Sequence, residues 1–257
     1  MLDCFDLTGH IALVTGASKG LGSIFAKALA KAGASLFLIA RNEEQLKKNT
    51  QEITALGATC DWCTADITKE AEVAEAVKKC VEKYEKIDIF VNNAACGRIN
   101  IPPEKTSLDD WDFVIDTNLT GSFICAKEVG KQMIKQKNGK IINLASMSGL
   151  IINKGVYGGS YEVSKHGVIG LTRALAVEWA KYNINVNALA PGCFMTKSNR
   201  DFFDTDPEAL KQFIELTPAG RIGEPKELEG AIVFLASKAS DFMHGSVLVI
   251  DGGYTCW

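Results

Sequence analysis

Thr15-Gly16-Ala17-Ser18-Lys19-Gly20-Leu21-Gly22 follows the apolar run Ile11–Thr15 and leads into a stretch with helical patterning. Glycines let a backbone come close to a pyrophosphate. The free N–H groups at a helix start add donors and a partial positive charge. The spacing is Gly-x-x-x-Gly-x-Gly rather than Gly-x-Gly-x-x-Gly. A plain strand-to-helix connection is the competing reading, but a strand before and a helix after favour a nucleotide site.

Outward from that turn, short β-type runs alternate with helical ones almost from end to end. The strands are expected at Ile11–Thr15, Ser35–Ala40, Thr59–Thr64, Ile87–Asn92, Lys140–Ala145, Asn185–Ala190 and Ser246–Ile250. The helices are expected at Leu21–Ala32, Glu43–Leu56, Glu70–Tyr84, Leu108–Lys137, Tyr161–Tyr182 and Lys226–Ser237. The strands are near-continuous apolar runs, which implies a parallel sheet buried on both faces. Gly33, Gly57 and Gly139 fall where helices should end. Alternation alone permits a closed barrel or an open doubly wound sheet. The glycine turn decides for the open one, an α/β Rossmann fold with a crevice at the carboxyl ends of the strands. With no repeat or linker, residues 1–257 are expected to form one dinucleotide-binding and catalytic domain. The irregular segment 193–223, with a short helix around Glu208–Glu215, is expected to be a lid over the substrate.

A net charge of −3 without blocks of like charge disfavours nucleic acid or anionic membrane as a partner. The apolar stretches fall well short of the roughly 20 residues a membrane helix needs. No basic-then-apolar leader opens the chain, so a cytoplasmic location is expected. The eight cysteines are then expected to remain thiols. Cys60-Asp61-Trp62-Cys63 lies in a strand-like stretch, where residues three apart face opposite ways, and has no second ligand pair, so no metal is expected.

The end of the second strand reports on the adenosine ribose. An acidic residue there suits the 2′-hydroxyl of NAD, and basic groups suit a 2′-phosphate. The chain has Ile39-Ala40-Arg41-Asn42, with Lys19 on the same side, so NADP(H) is expected over NAD(H).

Tyr161 and Lys165 lie four apart in Gly159-Ser160-Tyr161-Glu162-Val163-Ser164-Lys165, on one helix face. A fixed ammonium lowers a phenol pKa from its usual value of about 10. Such a tyrosine can exchange a proton with a reacting oxygen. Ser148, thirteen positions before Tyr161, would hydrogen-bond and polarise a carbonyl. Asn118, a poor helix former within a helical run, would hold a water linking Lys165 to solvent. Tyr157 lacks a lysine four residues on, and Ser146 points to the other side of its extended segment, so neither is expected to act.

These motifs together resemble the short-chain dehydrogenase/reductase family over nearly the whole chain. The resemblance rests on Thr15-to-Gly22, Asp66, Asn92-Asn93-Ala94-Ala95, Asn118, Ser148, Tyr161 with Lys165, and Pro191-Gly192 with Thr196. Ala95 departs from it, since the family more often has glycine there. The resemblance implies a seven-stranded sheet in the order 3-2-1-4-5-6-7 with helices on both faces. It implies an NADP-dependent oxidoreductase that interconverts a secondary alcohol and a ketone, with catalytic Asn118, Ser148, Tyr161 and Lys165. The cofactor would be held by Gly16, Ser18, Lys19, Gly20, Leu21, Gly22, Arg41, Asp66, Ile67, Asn92, Ala94, Tyr161, Lys165, Pro191, Gly192 and Thr196. It also implies a homotetramer.

From Thr217 to Phe242 the chain looks like the gluconate 5-dehydrogenase and sugar-alcohol branch, and is also similar to 3-oxoacyl-carrier-protein and tropinone-type reductases. Arg98, Asn153, Tyr157, Phe194, Phe202 and Phe203 are the candidate pocket residues, a mixture that suits a hydroxylated or a bulkier apolar ketone. A sugar acid or polyol is the expected substrate. A 3-oxoacyl-carrier-protein reductase or a broad carbonyl, tropinone or steroid-type ketone reductase is the alternative, and a catalytically silent NADP-binding scaffold is the non-enzyme one. The apolar ending Tyr254-Thr255-Cys256-Trp257 is expected to be buried at a subunit contact.

Overall fold

The structure is a computed structural model that describes residues 2–157 and 159–257. Its seven strands are β1 (Ile11–Thr15), β2 (Ser35–Ala40), β3 (Cys60–Thr64), β4 (Ile89–Asn92), β5 (Gly139–Leu144), β6 (Ile184–Pro191) and β7 (Val247–Ile250). All pair in parallel, in the order β3-β2-β1-β4-β5-β6-β7. The order reverses between β1 and β4, which opens the crevice the sequence implied.

Helices cover both faces: α1 (Gly20–Lys31), α2 (Glu43–Ala55), α3 (Glu70–Tyr84), α4 (Leu108–Ile115), α5 (Gly121–Gln136), α6 (Gly159–Trp179), α7 (Lys197–Thr205), α8 (Pro207–Glu215) and α9 (Glu229–Ala236). Alternation along each strand splits the core into two layers. From β2, Leu36 and Leu38 join Phe25, Leu29, Leu46 and Ile232 on one face. Phe37 and Ile39 join Val73, Cys125, Val129 and Met133 on the other. Strands β1, β4 and β6 are buried throughout, whereas edge strands β3 and β7 are half-exposed.

Three local departures have physical causes. The expected helix Leu108–Lys137 is interrupted by one π turn at Asp116–Thr120. Gly139 does not end α5 but opens β5, and Lys137 takes the left-handed position at φ 55°. A second helix, α7, lies inside the segment read as irregular. Its start is fixed by Thr196, whose hydroxyl accepts from the Asn199 N–H at 3.3 Å.

Candidate active site

The glycine turn is built by close approach. A Cβ on Gly16 would lie 2.8 Å from the Ala94 Cα, and one on Gly22 would lie 2.4 Å from the Gly16 carbonyl oxygen. The turn is held from two sides. Asn49 of α2 donates to the carbonyls of Ala17 and Ser18 at 2.6 and 3.0 Å. Asn93 donates to the Thr15 carbonyl at 2.9 Å, while the Thr15 hydroxyl accepts from the N–H groups of Asn93 and Ala94 at 3.0 and 3.1 Å. No side chain caps α1, whose N-cap is Lys19, so its first N–H groups face the crevice unclaimed. Ser18, Lys19, Gly20 and Leu21 complete the entry into the helix. Sequence reading missed Asn49 because nothing near it in the chain marks its partner.

Arg41 is exposed at the tip of β2, one residue before the Asn42 cap of α2. A cation next to a helix N-terminus is unfavourable unless an anion joins it. Asp66 is close enough to feel the Arg41 charge. Its carboxyl is held below its usual range mainly by the N–H and hydroxyl of Thr68, with Arg41 and Lys69 adding to this. Ile67 is buried and lies against Gly121. Asn92 points inward, and its amide is spent on the Ser122 carbonyl at 2.8 Å and Asn143 Oδ1 at 3.0 Å. Its place is to hold β4 against α5 and β5. Pro191 ends β6, and Gly192 donates to the Ile250 carbonyl at 2.8 Å, which sets the direction of the chain towards Thr196.

The π turn widens the helix where Asn118 enters it, and π turns inside helices often mark functional sites. The buried Asn118 side chain accepts from the Cys96 N–H at 2.8 Å and donates to Ser164 Oγ at 3.2 Å and the Cys96 carbonyl at 3.3 Å. Its amide thus braces the loop after β4 against α6 and does not itself reach Lys165.

Tyr161 and Lys165 share the face of α6 that looks into the crevice. Lys165 Nζ lies 5.8 Å from the Tyr161 ring centroid and donates to the Leu144 carbonyl at 2.9 Å. Burial pushes the Lys165 pKa down to about 8. Burial also raises the Tyr161 phenol above its ordinary value. The neighbouring Ser146 side chain and the Arg98 guanidinium pull it back. Two cations thus face the phenol ring, Arg98 at 5.2 Å and Lys165 at 5.8 Å from its centroid.

The two candidate serines have different neighbours. Ser146, set aside on sequence, is the serine that meets Tyr161. Ser148 Oγ is instead taken by Asn153 at 2.6 Å and Arg98 at 3.3 Å. Between these serines the chain makes a 3₁₀ turn in which the Ser146 hydroxyl accepts from the Ser148 N–H at 3.1 Å. That turn sends the two hydroxyls to different neighbours.

Arg98, Ser148, Asn153 and the buried Glu162 form one polar corner beside Tyr161, with Arg98 ion-paired to Glu162. Of the other pocket candidates, Phe194 is core, Tyr157 is exposed, and Phe203 packs at a tilt against Phe202 and edge-on against Phe213. Tyr254 is buried within its own chain, its ring centroid 6.1 Å from that of Phe213 and its phenol within reach of the charge on Arg98. The terminal residues therefore split, Tyr254 being buried while Trp257 is exposed.

A family model described as enoyl-(acyl carrier protein) reductase matches residues 16–255. The chain belongs to the short-chain dehydrogenase/reductase family. It is 41% identical to the 2-dehydro-3-deoxy-D-gluconate 5-dehydrogenase of Dickeya dadantii (strain 3937), over 99% of this chain and 98% of that one. It is 39% identical to the galactitol 2-dehydrogenase (L-tagatose-forming) of Cereibacter sphaeroides, over 98% of each. The gluconate 5-dehydrogenase of Burkholderia cenocepacia J2315, solved in complex with NADP and tartrate, superposes with a TM-score of 0.94 at 38% identity, over 100% of this chain and 99% of that one. The family assignment, the gluconate 5-dehydrogenase-like branch and the sheet order thus agree with the reading of the sequence. No helix among the described residues is long and apolar enough to cross a membrane.

Proposed function

We propose that the protein is an NADP(H)-dependent dehydrogenase that interconverts a secondary alcohol and a ketone on a polyhydroxylated substrate, a sugar acid or polyol. The observation that carries this reading is Tyr161, met by Ser146 and Arg98, with Lys165 one helical turn further along.

The residues fit a dinucleotide. Gly16 and Gly22 leave a cradle that a Cβ would fill, and the uncapped start of α1 offers N–H donors to a pyrophosphate. Arg41 and Lys19 suit a 2′-phosphate, and Asp66 with Ile67 border the adenine side. Ala94, Thr196 and the Pro191–Gly192 turn line the way to the nicotinamide, and Lys165 holds its ribose. The bound cofactor supplies or accepts the hydride.

Tyr161 holds the proton that the developing alkoxide requires in reduction, and takes it back in oxidation. Ser146 hydrogen-bonds the substrate oxygen from the other side and keeps it in line with the phenol. Asn118 positions Cys96, and with it the loop that carries Arg98. The segment 193–223, which includes α7 and α8, closes over the substrate, with Phe203, Phe213 and Tyr254 as its inner wall. Phe113, Phe123, Val163 and Val177 leave exposed apolar surface on α4, α5 and α6, which supports a homotetramer built through those helices.

Absorbance at 340 nm with both cofactors, over sugar acids, polyols, 3-oxoacyl thioesters and cyclic ketones, tests the reading. Turnover with NADP(H) and a polyhydroxylated partner is expected. Turnover confined to thioesters or apolar ketones, or none with any partner, refutes it.

A further inference from the structure

Four buried polar atoms without partners gather in the corner beside Tyr161: Arg98 Nε, Asn153 Oδ1, Glu162 Oε2 and the Tyr254 hydroxyl. Buried polar groups are nearly always hydrogen-bonded, so a cluster of orphans marks a place for a ligand. The Glu162 residue is 1% exposed and Asn153 3%. Glu162 Oε1 already accepts from Arg98 and, at 3.4 Å, from Asn153. What remains is two bare acceptors, one N–H donor and one phenol.

We infer that Glu162 is a specificity-determining residue: paired with Arg98, it makes a charge-balanced corner that accepts substrate hydroxyls and refuses a carboxylate. A hydroxyl has a proton for Glu162 Oε2 or Asn153 Oδ1 and lone pairs for the Arg98 N–H. A carboxylate has no proton to give and would meet the Glu162 charge head-on, which discriminates by repulsion as well as by fit. Arg98 alone would be an anion site, since its planar fork suits carboxylates. Glu162, which directly follows Tyr161 in the chain, converts it into a hydroxyl site. The inference rests on the dehydrogenase reading and deepens it. A sugar acid would enter with its hydroxylated carbons, not its carboxylate, at this corner.

The same pair acts on the phenol. Tyr161 is faced by Ser146 from the turn after β5, by Arg98 and Cys96 from the loop after β4, and by Glu162 and Lys165 from its own helix. Glu162 opposes ionisation of the phenol and Arg98 favours it.

The test is Glu162→Gln, compared with wild type as the NADP+ complex. Two probes are used: galactitol, which has hydroxyls and no carboxylate, and glutarate, which has carboxylates and no hydroxyl. Calorimetry reads binding without requiring turnover. Wild type is expected to bind galactitol in preference to glutarate. In Glu162→Gln the glutarate affinity should rise about tenfold or more and the galactitol affinity should fall. The double variant Arg98→Met/Glu162→Gln removes both charges together and should lose the gain for glutarate. A second readout is the pH profile of alcohol oxidation, whose rising limb should move to lower pH in Glu162→Gln, a shift that a purely structural role would not produce. An unchanged ratio of the two affinities, or wild type binding neither probe, overturns the inference. Failure of hydride transfer in a protein that still discriminates between the probes would count against the dehydrogenase reading alone.

Discussion

Lys165→Met should make the cofactor-free protein more stable while ending its turnover. Lys165 is 3% exposed, and burial takes its pKa from 10.5 down to about 8. At about 1.36 kcal/mol per pKa unit, holding the ammonium inside costs roughly 3 kcal/mol at neutral pH. The hydrogen bond from Nζ to the Leu144 carbonyl returns about 1 kcal/mol, so the net gain on replacement is about 2 kcal/mol. For a chain of this size that corresponds to a rise of about 4–8 °C in Tm.

The pH dependence separates this cause from better packing. Below pH 8 the lysine is protonated in both folded and unfolded chains, and the full penalty is present. Between the folded pKa of about 8 and the unfolded value of 10.5, the unfolded chain binds more protons, so wild-type stability rises with pH relative to the variant. Above 10.5 both states are neutral and the penalty is gone. Urea denaturation of the two proteins from pH 6 to pH 10.5 should therefore show the advantage of Lys165→Met greatest below pH 8 and shrinking towards zero. Other groups that titrate in this range are common to both chains and cancel. An advantage that is absent at pH 7, or that stays constant to pH 10.5, would refute the reasoning.

Tyr161→Phe should lower kcat by about 10²–10⁴-fold while NADPH still quenches tryptophan fluorescence, because only the proton donor is lost. Ser146→Ala should reduce kcat much more than Ser148→Ala, whose effect should fall mainly on KM through the Arg98 corner; steady-state kinetics on both variants decides between the two serines. Replacing Lys19 and Arg41 together by alanine should raise KM for NADPH far more than for NADH, and equal effects on both would remove them from a 2′-phosphate site. Removing Tyr254–Trp257 should weaken substrate binding through loss of the Tyr254–Phe213 wall, read as a higher KM, and analytical ultracentrifugation on the same variant reports whether the tail also supports assembly.

Local patterning reveals most of the architecture. Ile11–Thr15 and Ser35–Ala40 are read residue for residue because they are apolar throughout and end at turn chemistry. The long helix running to Gln136 is visible as one pattern, but its π turn is not, since the packing of Asn118 between Cys96 and Ser164 sets it. α7 escapes because Lys-Ser-Asn-Arg-Asp is polar and only the Thr196 cap marks its start. Gly139 resembles a helix terminator, yet Lys137 takes the left-handed φ and frees the glycine to begin a strand.

At the site, what the sequence shows depends on how far apart the partners lie in the chain. Tyr161 and Lys165 are one turn apart on a helix, so their shared face follows from spacing alone. The serine does not, because it reaches the tyrosine across a loop whose path no count of residues reveals. Thirteen positions lead back to Ser148, but the 3₁₀ turn at Met147–Gly149 gives that hydroxyl to Asn153 and leaves Ser146 for the phenol. The tuning of the tyrosine is hidden for the same reason. One of its two cations, Arg98, comes from the loop after β4, sixty-three positions upstream (161 minus 98). It joins the i, i+4 lysine that spacing offers, which at a pKa of about 8 still carries its charge at neutral pH. A buried ammonium that keeps its proton acts strongly on its neighbours, because little solvent screens it. In this site one of the two cations on the phenol therefore arrives from another strand's loop, and Glu162, the residue beside the tyrosine, opposes it.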